Sequence, residues 1–468
     1  MATPIAEHSE PLSGSFRDPS GFVYRRDGVL YRQINASYRD DFEALITSGL
    51  YDSLVSKGQL IEHEDADLGL RHSDDAWRVI RPTAVPFISY PYEWSFGQLK
   101  DAAILTLRIQ REALDRKMSL KDASAYNVQF VGCSPVFIDT LSFEPYVEGR
   151  PWIAYRQFCQ HFLAPLALMS LVDVRLGQLL RTYLDGVPLD LASRLLPWSS
   201  RLKFPLLTHL HLHAKSQARY ADKPVRGSSM KVSRLSLIGL LDSLRKAIES
   251  MDWTPAGTAW GDYYEKTNYE PEAMSRKSEL VSRFLERVNP STVWDLGANT
   301  GAFSRLASRR GAMTVAFDID PAAVEKNYRE GVRDGDRKLL PLQLDATNPS
   351  PGLGWENSER DTLAQRGPVD TLLALALVHH LAIGNNVPLE RIARYFSTLG
   401  RWLVIEFVPK EDSQVQRLLA SREDIFSDYN VDAFEAAFRR HYTIDGVERI
   451  EGTHRTLYLM RASDGEGN

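Results

Sequence analysis

Val293-Trp-Asp-Leu-Gly-Ala-Asn-Thr-Gly301 decides the fold of the second half of this chain. An acid, Asp295, closes a short apolar run, and a loop of small residues then leads into a helical pattern that begins near Phe303. Gly297 permits a tight turn and Gly301 permits backbone to approach a ligand closely. The helix that follows offers unpaired N–H groups at its N-terminus. About twenty residues beyond Gly297, Asp318 ends the next apolar run, Thr314-Val-Ala-Phe-Asp, where a carboxylate can accept hydrogen bonds from both hydroxyls of a ribose. Asp345 ends a third run, Leu340-Pro-Leu-Gln-Leu-Asp, at the same predicted rim.

Outward from this stretch the pattern repeats. Val369-Asp-Thr-Leu-Leu-Ala-Leu and Trp402-Leu-Val-Ile-Glu-Phe are further near-continuous apolar runs, and helical patterns separate them. Strands buried on both faces read this way, so the expected class is α/β, with a doubly wound, Rossmann-like parallel sheet. His441-Tyr-Thr-Ile and Thr456-Leu-Tyr-Leu-Met predict a terminal antiparallel pair. The expected divisions are an α+β region over 1–150, a helical region with a linker over 151–255, and the sheet domain over 256–468.

The ordered set of loop, rim acids and strands resembles the class I S-adenosylmethionine-dependent methyltransferases over about 200 residues. That resemblance implies S-adenosylmethionine as cofactor. Asp295 and the Gly297, Asn299, Gly301 loop would hold the methionine end, Asp318 and Ile319 the ribose, and Asp345 with Ala346 the adenine. Residues 376–379 would line the site after the fourth strand. Asn299 stands where the family usually has a middle glycine, and Asn tolerates left-handed backbone better than most residues. Dinucleotide-binding folds share the loop-plus-acid logic, but their loop is Gly-x-Gly-x-x-Gly.

Chemistry is expected beside the methyl donor. Leu377-Val-His-His-Leu381 brings His379 and His380 to the rim, where a neutral imidazole can take the proton of a hydroxyl or amine as methyl transfers. Glu406, at the tip of its strand, is a third candidate. Methyl displacement depends mainly on proximity and alignment, so a base is not obligatory. Trp260-Gly-Asp-Tyr-Tyr-Glu-Lys-Thr-Asn-Tyr269, ahead of the first strand, offers aromatics for stacking or for packing. With the glycine loop, this segment resembles nodulation proteins of the NoeA-like methyltransferase type, which implies a small-molecule or glycoconjugate acceptor.

The first part reads differently. Gly21-Phe-Val-Tyr and Val29-Leu-Tyr-Arg-Gln-Ile flank Asp27-Gly28, a hairpin signal. Arg78-Val-Ile-Arg and Val85-Pro-Phe-Ile-Ser-Tyr are strand-like, and 99–117 has helical apolar spacing. Asp122 and Asn127 lie five apart in a loop, and Asp139 ends Pro135-Val-Phe-Ile-Asp. These positions resemble the protein-kinase-like core, which implies a proton acceptor at Asp122 and an ATP–Mg²⁺ site at Asn127 and Asp139. Leu120-Lys121 replaces the usual His-Arg, Thr-Leu follows Asp139 instead of Phe-Gly, and no glycine-rich loop or anchoring lysine is assigned. Two alternatives stay open: a two-activity enzyme of polysaccharide or glycolipid, or a pseudokinase module that recruits the acceptor.

Composition sets the outer limits. A net charge of −5 gives no general pull toward nucleic acid. Two cysteines, Cys133 and Cys159, make neither a disulfide scaffold nor a cysteine-rich zinc site, and a cytoplasmic setting is expected. The run at 162–172 is too short to span a bilayer and predicts a buried helix. His209, His211 and His213 alternate, but without an acid or cysteine nearby no metal site is expected.

Overall fold

In the computed structural model the described residues are 9–212, 231–256, 271–420 and 422–463. The segment 260–269 and His213 lie outside them. The chain forms two compact units: Met1–Thr254 with Leu353–Arg360, and Pro255–Gly352 with Asp361–Asn468. The α+β region and the helical region both fall in the first of these units.

In that unit, strands β1 (Ser9–Pro11), β2 (Gly21–Arg26), β3 (Val29–Asn35), β4 (His63–Ala66) and β5 (Ala76–Pro82) form an antiparallel sheet in the order β1-β2-β3-β5-β4. The β2–β3 turn has Asp27 and Gly28 at φ of 51° and 77°, the left-handed backbone a two-residue hairpin requires. Ile34, Tyr38, Phe42, Ile80 and Leu141 form a core cluster. The helix Phe96–Asp115 starts at a capping box, with Ser95 and Gln98 each accepting the other's backbone N–H. After it, β6 (Met118–Leu120) pairs with β9 (Phe143–Pro145), and β7 (Val128–Val131) with β8 (Ser134–Phe137).

The strand expected over 85–90 does not form. Pro86 and Pro91 remove ladder donors there. Ser89 instead gives its N–H to Gln129 Oε1 and takes Gln129 Nε2–H on its carbonyl, both at 2.9 Å. A side chain replaces the ladder. The apolar helix Ala164–Leu171 is buried, as its composition predicts. Leu353–Arg360, remote in sequence, joins this unit: Glu359 pairs with Arg17 at 2.5 Å, and the Arg360 guanidinium lies 4.0 Å from the Tyr126 ring centroid.

The second unit is built on one sheet. Its strands are β10 (Thr292–Leu296), β11 (Met313–Asp318), β12 (Leu339–Gln343), β13 (Val369–Ala374), β14 (Gly400–Phe407), β15 (Tyr442–Arg449) and β16 (Thr456–Ala462). They run in the order β12-β11-β10-β13-β14-β16-β15. The first five are mutually parallel, whereas β16 is antiparallel to both β14 and β15. Leu280, Phe284, Val293, Leu373 and Val404 pack one face of the sheet against the helix Pro271–Val288. Strand order reverses between β10 and β13, and at such a point the carboxyl ends of the strands part to leave a crevice.

Candidate functional site

Each of the three rim acids stands where its strand ends or just beyond. Asp295 is the penultimate residue of β10 and accepts the Ser304 hydroxyl at 2.6 Å. The loop after it turns on positive φ at Gly297, Asn299 and Gly301 (76°, 51° and 81°). Asn299 tolerates this backbone and accepts the Thr300 N–H at 2.8 Å, so the missing glycine is accommodated. Gly301 is needed for space as well, because a Cβ there would sit 2.4 Å from Asn327 Oδ1. The N–H groups of Gly297 and Ala298 both donate to the Phe317 carbonyl, which ties the loop to β11.

Asp318 ends β11. Its Oδ2 accepts the Asn299 N–H at 2.7 Å and its Oδ1 the Asp320 N–H at 2.8 Å, so the carboxylate is aimed by backbone alone. Burial pushes both Asp295 and Asp318 up to about 6. Beyond β12, Asp345 takes both the N–H and the hydroxyl of Thr347. These acids open onto a cavity of about 320 Å³. Asn299, Ile319 and Ala346 also line it, as do Gly297 and His380, whereas Gly301, His379 and Glu406 do not.

The histidine pair is thereby divided. The two rings lie 4.1 Å apart, but His379 is 1% exposed and its Nδ1 has no hydrogen-bond partner among the described residues. His380 faces the cavity, and burial lowers it to about 4. Burial, and then the neighbouring His380, lowers His379 well below its ordinary value. Both imidazoles are neutral at physiological pH, and only one reaches the space where a ligand fits.

Glu406 lies in an ionic cluster instead. Its Oε2 is 2.6 Å from Lys277 Nζ and its Oε1 is 3.5 Å from Arg455, which also binds Asp412 at 2.7 Å. Lys277 lines the cavity with a side chain 3% exposed. Burial lowers its pKa, and the Glu406 carboxylate opposes that. Sequence reading missed Lys277. Its signal was a lysine on the apolar stripe of an amphipathic helix, in line with Ala273, Leu280 and Phe284.

In the first unit the loop residues do meet. Asp122 accepts the Ser124 N–H at 2.8 Å. Asn127 donates to the Ser142 hydroxyl at 3.2 Å, and that hydroxyl donates to Asp139. Asp139 is also ion-paired with Arg32 of β3 at 2.6 Å. Burial opposes its charge, but Arg32, with the donors of Ser142 and Leu141, holds its carboxyl below the usual range. Asp122 is raised by burial. Among the described residues no group of three or more His, Cys, Asp or Glu side chains is placed to hold a metal ion. His209 and His211 are separately bound by hydroxyls, His209 by Tyr155 and Ser243, and His211 by Ser193 and Ser200.

No family model matches the chain. The nodulation protein NoeA of Rhizobium meliloti (strain 1021) is 37% identical over 461 residues, which is 97% of this chain and 96% of that protein. The chain belongs to the NoeA family. Among solved structures, the NoeA-family chain is similar over 43% of its length to the magnesium protoporphyrin IX methyltransferase ChlM of Synechocystis PCC 6803 with bound SAH, covering 91% of that protein (18% identity, TM-score 0.29). The N-methyltransferase NodS of Bradyrhizobium japonicum WM9 matches 42% of the chain and 99% of NodS (12%, 0.30). The bifunctional kinase-methyltransferase WbdD matches 43% of the chain and 41% of WbdD (17%, 0.27). The reversal between β10 and β13, the antiparallel β16, the glycine turn and the three rim acids give the second unit the class I methyltransferase fold.

Proposed function

We propose that this chain transfers the methyl group of S-adenosylmethionine to an oxygen or nitrogen of a small molecule or glycoconjugate. The observation that carries this reading is the convergence of Asp295, Asp318 and Asp345 on one cavity beside the Gly297–Asn299 turn. Asp295 and the turn would hold the methionine end, Asp318 the ribose diol, and Asp345 with Ala346 the adenine. The bound cofactor supplies an electrophilic methyl group on sulfur. The chain's own part is to exclude water, align the nucleophile and receive its proton. His380, neutral and facing the cavity, fits the last role, and His379 backs its ring. The test is to incubate the full chain with methyl-labelled cofactor and fractionated cell extract. Label should appear in sugar-containing or small-molecule fractions, and label confined to protein or nucleic acid would reject this acceptor class.

For the first unit we infer a binding module built on a kinase-like frame. Phosphoryl transfer needs its metal-binding acid free to meet Mg²⁺, and here Arg32 occupies Asp139. The expected result is no Mg²⁺-dependent ATP hydrolysis or transfer by the full chain. Asp139→Asn should lower the melting temperature, because Arg32 then loses its counter-charge inside the fold. Robust Mg²⁺-dependent phosphorylation, lost in Asp139→Asn, would show a working kinase instead.

A further inference from the structure

The helical part of the first unit carries a turn whose polarity is inverted. In Pro197-Trp-Ser-Ser-Arg-Leu-Lys-Phe204, Ser200 is buried while Trp198, Leu202 and Phe204 are 69%, 70% and 71% exposed. Folded chains ordinarily hide such side chains and expose serine. The inversion is held in place from below. Ser200 Oγ binds the Pro197 carbonyl at 2.6 Å and His211 Nε2 at 2.9 Å. His211, also buried, has its Nδ1 on Ser193 Oγ at 2.8 Å. This buried hydroxyl–imidazole network pins the turn, so its apolar side chains project outward together with Leu195 and Leu212.

The turn itself carries charge of one sign. Residues 197–204 contain Arg201 and Lys203 and no Asp or Glu, in a chain whose net charge is −5, while Arg194 before the turn is paired with Asp190 at 3.8 Å. Arg201 and Lys203 are exposed and alternate with Leu202 and Phe204. Trp, Phe and Leu interleaved with Arg and Lys are what a surface lying in a membrane interface requires. The apolar side chains enter the headgroup boundary and the cations meet anionic headgroups. No described helix is long and apolar enough to cross a membrane, so attachment of this kind would be peripheral.

We propose that the Trp198–Phe204 turn docks the protein on the surface of an anionic lipid bilayer. This goes beyond methyl transfer and does not rest on it. Docking would present the enzyme to acceptors that are themselves held at a membrane. The positive charge favours a bilayer over a second copy of the chain, whose matching face would repel it.

The experiment is co-sedimentation of the full chain with vesicles of phosphatidylcholine alone or mixed with phosphatidylglycerol. Binding should require the anionic lipid and weaken as salt rises. Arg201→Ser with Lys203→Ser should lower the partition coefficient roughly fivefold for each charge removed. Trp198→Ser with Phe204→Ser should lower it by about tenfold or more. All four side chains are exposed and lie outside the cofactor cavity, so S-adenosylhomocysteine binding should be unchanged and will confirm folding. Absence of wild-type protein from the anionic pellet, or equal binding by both variants, would overturn the proposal. So would a wild-type dimer in solution that Trp198→Ser/Phe204→Ser converts to monomer, which would make this face a self-association surface.

Discussion

Asp318→Ala should weaken S-adenosylhomocysteine binding by roughly 30- to 1000-fold, read by calorimetry, with the fold intact by circular dichroism. The carboxylate accepts the Asn299 N–H on one oxygen and the Asp320 N–H on the other, which fixes it where a ribose diol would meet both oxygens. Two charge-assisted hydrogen bonds in a buried site are together worth about 2–4 kcal/mol. A pH titration gives an independent check. Burial raises Asp318 to about 6 in the unliganded protein, and the ribose hydroxyls need its ionised form. Binding by the wild type should therefore weaken as pH falls through 6. Asp295, shifted by the same cause, adds to that loss, so Asp318→Ala should flatten the profile only in part. The stability of the unliganded fold runs the other way. A buried acid with a raised pKa binds a proton that the unfolded chain releases, so this residue favours folding as pH drops from about 6 toward the ordinary carboxyl range. Unchanged affinity in a folded Asp318→Ala variant would remove Asp318 from the cofactor site.

The parts of this molecule that were legible in sequence are those with a short-range physical cause. Apolar runs ending in an acid could be read because parallel strands are buried on both faces and their functional groups stand at the carboxyl ends. Hence β10 to β14, and all three rim acids, were found in order. The terminal β15–β16 pair was legible as two further apolar stretches after the last parallel strand. What failed depended mostly on partners distant in the chain, and in one case on the detail of a turn. Residues 85–90 looked like a strand until Gln129 took their hydrogen bonds. His379 and His380 are adjacent and chemically identical, so only the local turn decides that His380 meets the cavity. Arg32 looked like an ordinary strand residue, and its capture of Asp139 joins positions more than a hundred residues apart. Leu353–Arg360 follows β12 in sequence yet packs with the first unit, because Glu359 and Arg360 find Arg17 and Tyr126 there. No periodicity could announce that.

Lys277 is a residue with only a faint mark in sequence, a lysine on an apolar stripe, and a decisive place in the fold, and its replacement should have the largest effect on stability. Lys277→Met should cost about 3–5 kcal/mol, because it leaves Glu406, 0% exposed, without its nearest counter-charge. Arg455 does not compensate fully, since it stands farther from Glu406, at 3.5 Å, and is shared with Asp412. Removing both members should be milder: Lys277→Met with Glu406→Gln leaves no unpaired buried charge between those two positions, and well-packed apolar replacements of buried ion pairs are often nearly neutral. The measurement is thermal unfolding with and without S-adenosylhomocysteine. A ligand raises the midpoint only of the unit that binds it, so the ligand-sensitive transition identifies the methyltransferase unit. That transition should fall sharply in Lys277→Met and recover most of its loss in the double variant, while the other transition stays put. A single variant that melts with the wild type would mean the pair is carried as neutral groups. In that case burial, which already lowers Lys277, has outweighed the attraction of Glu406.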